Sequence, residues 1–188
     1  MPELPDIVVY VEALRERIQG EVLESLEIVS PFVLRTVEPP IEEAAGKTVL
    51  DVRRLGKRVV LSLADDLFLV FHLMVAGRFR WKRRGSKPPG KITLATFCFP
   101  DGILILTEAG KKKRASLHLV CGEAAVAGHD PGGLEVLDAD EAAFRAAVSR
   151  RGACSLSAPP PLARARGRPH RRDTWCRRIW ATGCCWWR

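Results

Sequence analysis

Pro2 and Glu3 carry the densest chemistry in this chain. Removal of Met1 leaves Pro2 as a free secondary amine. An α-amino group titrates near ~8, against ~10 for a lysine side chain, so a useful fraction is unprotonated at neutral pH. Such an amine adds to an aldehyde-level carbon to form an iminium, a cationic electron sink for later eliminations. Glu3 is close enough to act as general acid or base. Pro5 suits the first turn of a helix, and a carboxylate just ahead of a helix sits in the favourable field of its N-terminus. Taken alone, a proline after the initiator is an ordinary residue. The chemical reading fails if the terminus is buried or is aimed far from Glu3 and Lys57.

The elements that must position these groups are legible as patterns. In residues 5–19, Ile7, Val11, Leu14 and Ile18 form a helical stripe, with Gly20 placed to stop it. From Val22 the period changes to that of strands: VLESLEIVS, KTVLDVRRL, RVVLSLA, DLFLVFHLM, RFRWK, KITLATFCF, GILILTE and RASLHLVC. Gly56-Lys57 and Pro100-Asp101-Gly102 fall between strands as turn signals. Short strands at this spacing predict a mainly β chain with an N-terminal helix, folded as an antiparallel sandwich or flattened barrel. Residues 82–91, KRRGSKPPGK, hold five bases, two prolines and two glycines and predict a hairpin loop. A loop over 128–137 then leads to a helix in DADEAAFRAAVSRR, capped by Asp138 or Asp140, with Ala142, Phe144, Ala147 and Val148 available for packing. Cys98 and Cys121 read as buried small hydrophobes, and His118, alternating in RASLHLV, as structural.

PELPD at the terminus, Lys57 within RRLGKRVVLSL and FHLMVAGRF from Phe71 together resemble the formamidopyrimidine-DNA glycosylase / endonuclease VIII family. The likeness runs in order through roughly the first 150 residues. It implies a two-sheet β-sandwich with the N-terminal helix laid across it. It also implies a bifunctional DNA glycosylase and AP lyase of base-excision repair, acting on oxidised bases in damaged double-stranded DNA. An enzyme that works on a base must first rotate the nucleotide out of the duplex.

By that resemblance Pro2 attacks C1′ of the damaged nucleotide, Glu3 protonates the opening sugar oxygen, and Lys57 meets a phosphate or the extruded nucleotide. Asp6 stands where relatives usually have a second Glu. His72 matches a histidine near the DNA backbone, and Arg78 could pair a phosphate or an acid. Gly77 reads as a turn position needing a flexible backbone. Relatives often place a void-filling Met where Val75 stands; Met74 precedes it and would point to the opposite face if the strand continued regularly. The loop TEAGKKKRAS aligns with one that invades the opposite strand in relatives. Lys111, Lys112, Lys113 and Arg114 occupy it without an aromatic, making either a phosphate clamp or a solvated turn.

The net charge of +8 is unevenly placed. Residues 152–188 hold eight Arg against Asp173 alone, leaving residues 1–151 with 22 bases and 21 acids. Bulk charge therefore does not argue for DNA binding, and local clusters must. The same segment carries four of the five Trp and four of the six Cys without a sustained period. The expected organisation is a catalytic domain over 1–151 and a non-homologous, disordered tail over 152–188. The helix–two-turns–helix motif and finger of relatives are not legible there, as if the reading frame had shifted. The competing readings are a basic arm that binds phosphates, or a catalytically impaired remnant of the family with weak or no DNA binding. A basic single-strand binder would show exposed aromatics between bases, and residues 1–151 have only Trp81 and Tyr10 beyond their Phe residues, which in alternating strands are core. No CxxC…CxxC spacing suggests zinc, so no cofactor is expected; the structural zinc of many relatives would belong to the finger. No apolar run nears the ~20 residues that span a bilayer, and the acidic N-terminus is unlike a signal peptide. A monomeric, cytoplasmic protein with no protein partner is expected.

Overall fold

The computed structural model describes residues 2–152 apart from 131, 133 and 136–138. Met1, the candidate cap Asp138 and the tail beyond Gly152 lie outside the described residues. The chain divides into two compact units, Met1–Glu135 and Val136–Arg188.

The first unit opens with helix α1 (Leu4–Ile18), whose buried stripe is the expected Ile7, Val11, Leu14 and Ile18. Eight strands follow: β1 (Ser25–Ile28), β2 (Val49–Leu55), β3 (Arg58–Leu63), β4 (Leu67–His72), β5 (Gly77–Arg83), β6 (Thr93–Phe99), β7 (Gly102–Glu108) and β8 (Ser116–Cys121). They form two antiparallel four-stranded sheets, ordered β1-β6-β7-β5 and β2-β3-β4-β8. The expected mainly β sandwich with an N-terminal helix is the observed fold.

Alternation builds the core. Val59, Leu61, Leu69, Phe71, Leu117 and Leu119 of one sheet meet Phe97, Phe99, Leu104 and Leu106 of the other. Phe71 joins the sheets through edge-to-face contacts with Phe79 and Phe97, at 5.2 and 5.3 Å between centroids. Helix α1 packs on β2 and β3, while Tyr10 meets Phe79 of β5 at 5.4 Å. The helix thus spans from one sheet to the other, which fixes where its first turn points.

The outer face of β3-β4-β8 is covered too. Val60, Phe68, Val70 and Val120 form a second cluster with Val126 of a short helix, α2 (Glu123–Ala127), which the pattern of periods did not signal. This covering explains why β4 is apolar nearly throughout. Cys98 is half-buried and Cys121 exposed, so the expected burial of both fails. Cys121 is the last residue of β8, an edge strand of its sheet, where the chain leaves the core. The 82–91 segment is only partly a loop: β5 continues through Arg83, Arg84 pairs with Glu24 at 2.8 Å, and Lys82 donates to the Lys87 carbonyl.

In the second unit, α3 (Glu141–Gly152) is the expected helix. Asp140 caps it, its Oδ1 accepting the Ala143 N–H at 2.7 Å. Phe144 and Val148, expected to pack, are 48% and 54% exposed.

Candidate active site

At one end of the sandwich Pro2, Lys57, His72, Leu73, Met74 and Val75 line an open depression of about 180 Å³. Three local devices assemble it.

The first is the start of α1. Glu3 is extended, with φ −97° and ψ 177°, and its N–H donates to Asp6 Oδ2 at 2.8 Å. The Ile7 N–H donates to the Glu3 carbonyl at 3.1 Å. Asp6 thereby closes the first turn and sets the direction of residues 2 and 3. Pro2 is buried in the chain that still carries Met1, one of the two outcomes set against the chemical reading, so that reading holds only for the terminus freed by removal of Met1; Pro2 forms part of the depression's wall.

The second device is the two-residue loop Gly56-Lys57 between Leu55 and Arg58. Gly56 has φ +57°, the left-handed backbone that tight hairpin turns require and glycine adopts freely. The turn presents Lys57 towards α1, where its Nζ donates to Glu3 Oε2 at 2.7 Å. Both side chains are about half exposed, so the pair contributes at most about 1 kcal/mol to folding. Its interest is chemical: a carboxylate and an ammonium stand together beside the wall that Pro2 forms.

The third device is the turn after β4. The strand ends at His72 and the Gly77 N–H closes onto the Leu73 carbonyl at 2.9 Å. Met74 takes φ +55°, unusual for a residue with a side chain. Because the strand has ended, alternation no longer separates Met74 from Val75, and both line the depression. Gly77 is needed for closeness rather than flexibility: its φ is not positive, but a Cβ there would lie 2.3 Å from the Leu73 carbonyl oxygen. His72 lies across from Arg58 and Ser116. Burial first, then the Arg58 charge, lowers its pKa and favours neutral imidazole.

Arg78 does not line the depression. It is exposed on β5, with Nη1 donating to the Gly77 carbonyl at 2.7 Å, and its charge reaches Tyr10. The 109–115 loop leaves β7 beside the turn: Glu108 pairs with Gly77 across the strands. Lys111, Lys112 and Arg114 are exposed, while the Lys113 ammonium donates to the Glu108 carbonyl. The residue sequence reasoning missed is Glu108 itself, a carboxylate 1% exposed whose Oε2 accepts the N–H groups of Arg114 (2.8 Å) and Ala115 (3.1 Å). An acid just ahead of four cations was the available signal.

On the outer face, His118 meets His129 at a tilt of 53°, with centroids 4.5 Å apart. Burial, then His129 and Arg58, hold His118 down at about 4, so it is neutral at pH 7. Among the described residues no group of three or more His, Cys, Asp or Glu could hold a metal, and no helix is long and apolar enough to cross a membrane.

Comparison with known proteins bears on family and fold. Residues 1–112 match the formamidopyrimidine-DNA glycosylase N-terminal domain. A formamidopyrimidine-DNA glycosylase of Lactococcus lactis subsp. cremoris is 34% identical over 112 residues, 59% of this chain and 41% of the relative. One of Mycoplasma genitalium is 31% identical over 104 residues, 54% of this chain and 37% of the relative. The crystal structure of the Lactococcus lactis enzyme with DNA containing an abasic site superposes with a TM-score of 0.62 at 27% identity, covering 68% of this chain and 47% of that one. The chain spans 37–43% of the length of the curated relatives it matches. Through its first 112 residues, this chain belongs to the formamidopyrimidine-DNA glycosylase family.

Proposed function

We propose that the chain acts in base-excision repair as a bifunctional DNA glycosylase and AP lyase on oxidised bases in double-stranded DNA, with Pro2 as nucleophile. The observation that carries this is the 2.7 Å Lys57–Glu3 pair at a depression whose wall includes Pro2. The Pro2 nitrogen, freed of Met1, attacks C1′; the C1′–N glycosidic bond breaks and the base leaves with a proton. Glu3 protonates O4′ as the sugar opens, giving an iminium between Pro2 and C1′. That cation acidifies the C2′ proton, and its removal expels the 3′ phosphate by β-elimination; loss of the 5′ phosphate by δ-elimination can follow. Water then hydrolyses the iminium and returns the amine. Lys57 and His72 hold flanking phosphates, Met74 and Val75 occupy the space the nucleotide vacates, and Asp6 keeps Glu3 in place. Lys112, Lys113 and Arg114 supply a second cationic contact, with Arg78 further along β5. The DNA carried by the structural neighbours supports the choice of partner.

The burial of Pro2 favours a second reading, a domain of this family that keeps the arrangement without the activity. Borohydride trapping on DNA with an abasic site separates them. An active lyase gives a covalent adduct that is lost on Pro2→Gly or when Met1 is retained. A well-folded chain that yields no adduct upholds the second reading.

A further inference from the structure

The geometry points to Glu108 as a positioning residue that fastens the cationic 109–115 loop against the 73–77 turn; it rests on the DNA-binding reading above. Buried carboxylates are rare unless their lone pairs are occupied, and Glu108 is the one fully buried acid among the described residues. Its carboxylate serves backbone donors. Oε2 takes both the Arg114 and Ala115 N–H groups, and the main-chain carbonyl takes the Lys113 ammonium. The loop therefore departs from residue 108 and returns to it, so one side chain closes it.

The same residue faces the turn. Glu108 pairs with Gly77, and a Cβ built on Gly110 would stand 3.5 Å from the Ala76 Cβ, so loop and turn lie side by side. A displacement of the loop would be felt at the turn that carries Met74 and Val75. The arrangement also settles a charge question. A carboxylate next to four cations would ordinarily pair with one of their side chains, neutralising a contact meant for phosphate. Here it is occupied by backbone N–H groups. The side chains of Lys111, Lys112 and Arg114 have no ion-pair partner among the described residues.

The test uses the full chain with Glu108→Ala and Glu108→Gln, reading amide hydrogen exchange and affinity for a duplex bearing a tetrahydrofuran abasic analogue. Glu108→Ala removes two hydrogen bonds to a charged acceptor, so exchange at Arg114 and Ala115 should rise by about tenfold or more while β3 and β4 amides are unchanged. DNA affinity should fall by about tenfold, with the trapping rate at saturating DNA within about threefold of wild type. Glu108→Gln keeps an acceptor oxygen of the same reach and should restore most of both. Unchanged exchange at residues 114 and 115, or undiminished DNA affinity in Glu108→Ala, overturns the assignment. If Glu108→Ala does not fold, the wild type decides: its amides at 114 and 115 must exchange far more slowly than those of Lys111 and Lys112. A wild type that binds no DNA while protecting these amides refutes the DNA reading and the purpose given to Glu108, and leaves only a closed loop.

Discussion

The two ends of α1 are held by different physics. At the C-terminal end Ile18 is fully buried, Gly20 turns the chain at φ +85°, and its N–H donates to the Val49 carbonyl at 2.8 Å. Arg15 Nε donates to the Val52 carbonyl at 2.6 Å, and Gln19 Nε2 reaches that of Leu50 at 3.2 Å. At the N-terminal end, beyond the buried Ile7 and Pro2, the contacts that hold the functional side chains are polar and exposed: the Glu3 N–H on Asp6 and the Lys57–Glu3 pair. One end is part of the β2 edge; the other is a tip carried by it. Stability and chemistry are therefore separable along a single helix, and substitutions at its two ends should differ in kind.

The largest effect on folding belongs to the anchored end. Ile18→Ala removes a fully buried side chain and should cost about 2–5 kcal/mol in urea unfolding, with trapping retained by the folded fraction. A cost below about 1 kcal/mol would mean the anchor is elsewhere. Arg15→Ala comes next, at about 1 kcal/mol, because it strips a charged donor from the Val52 carbonyl at a partly exposed site. Neither change touches the depression, so a selective loss of trapping in either variant would break the comparison.

The anchored end was also the more legible one. Ile7, Val11, Leu14 and Ile18 follow a period set by burial, and short apolar or alternating runs between turn signals likewise marked all eight strands, because the core fixes which side each residue faces. The rim obeys no period. Pro2, Glu3 and Lys57 were found through residue type and resemblance; their meeting depends on a two-residue turn that spacing locates without showing where it points. Met74 depended on whether the strand continued, which alternation alone could not decide; β4 ends at His72, where Gly77 approaches Leu73 and the strand geometry no longer applies. Glu108 was overlooked because an acid just ahead of four cations suggests a side-chain ion pair, whereas its contacts run to backbone N–H groups across the loop. Helix α2 was missed since five residues are too few to establish a period.

At the tip, Asp6→Ala frees the Glu3 N–H and removes an acid from the first turn, which should cost about 0.3–1 kcal/mol. Trapping should fall by more than that stability loss explains, because Glu3 loses the contact that orients it. Equal losses in stability and trapping would make Asp6 an ordinary cap.

The smallest change in folding should come from Lys57→Met. The pair with Glu3 is half exposed on both sides, and such pairs contribute within about 0.5 kcal/mol in typical cases, so the unfolding midpoint should barely move. The adduct yield per unit time should nevertheless drop by about 100-fold, the scale expected when a group acting on the reacting sugar or its phosphate is lost. Glu3→Gln should behave alike, and the double variant should fall short of the product of the two single losses if Lys57 and Glu3 act as one unit. Independent, multiplying losses would place the lysine on the DNA alone. A large stability loss with either substitution would show that the tip is structural after all, and the division between the helix's two ends would disappear.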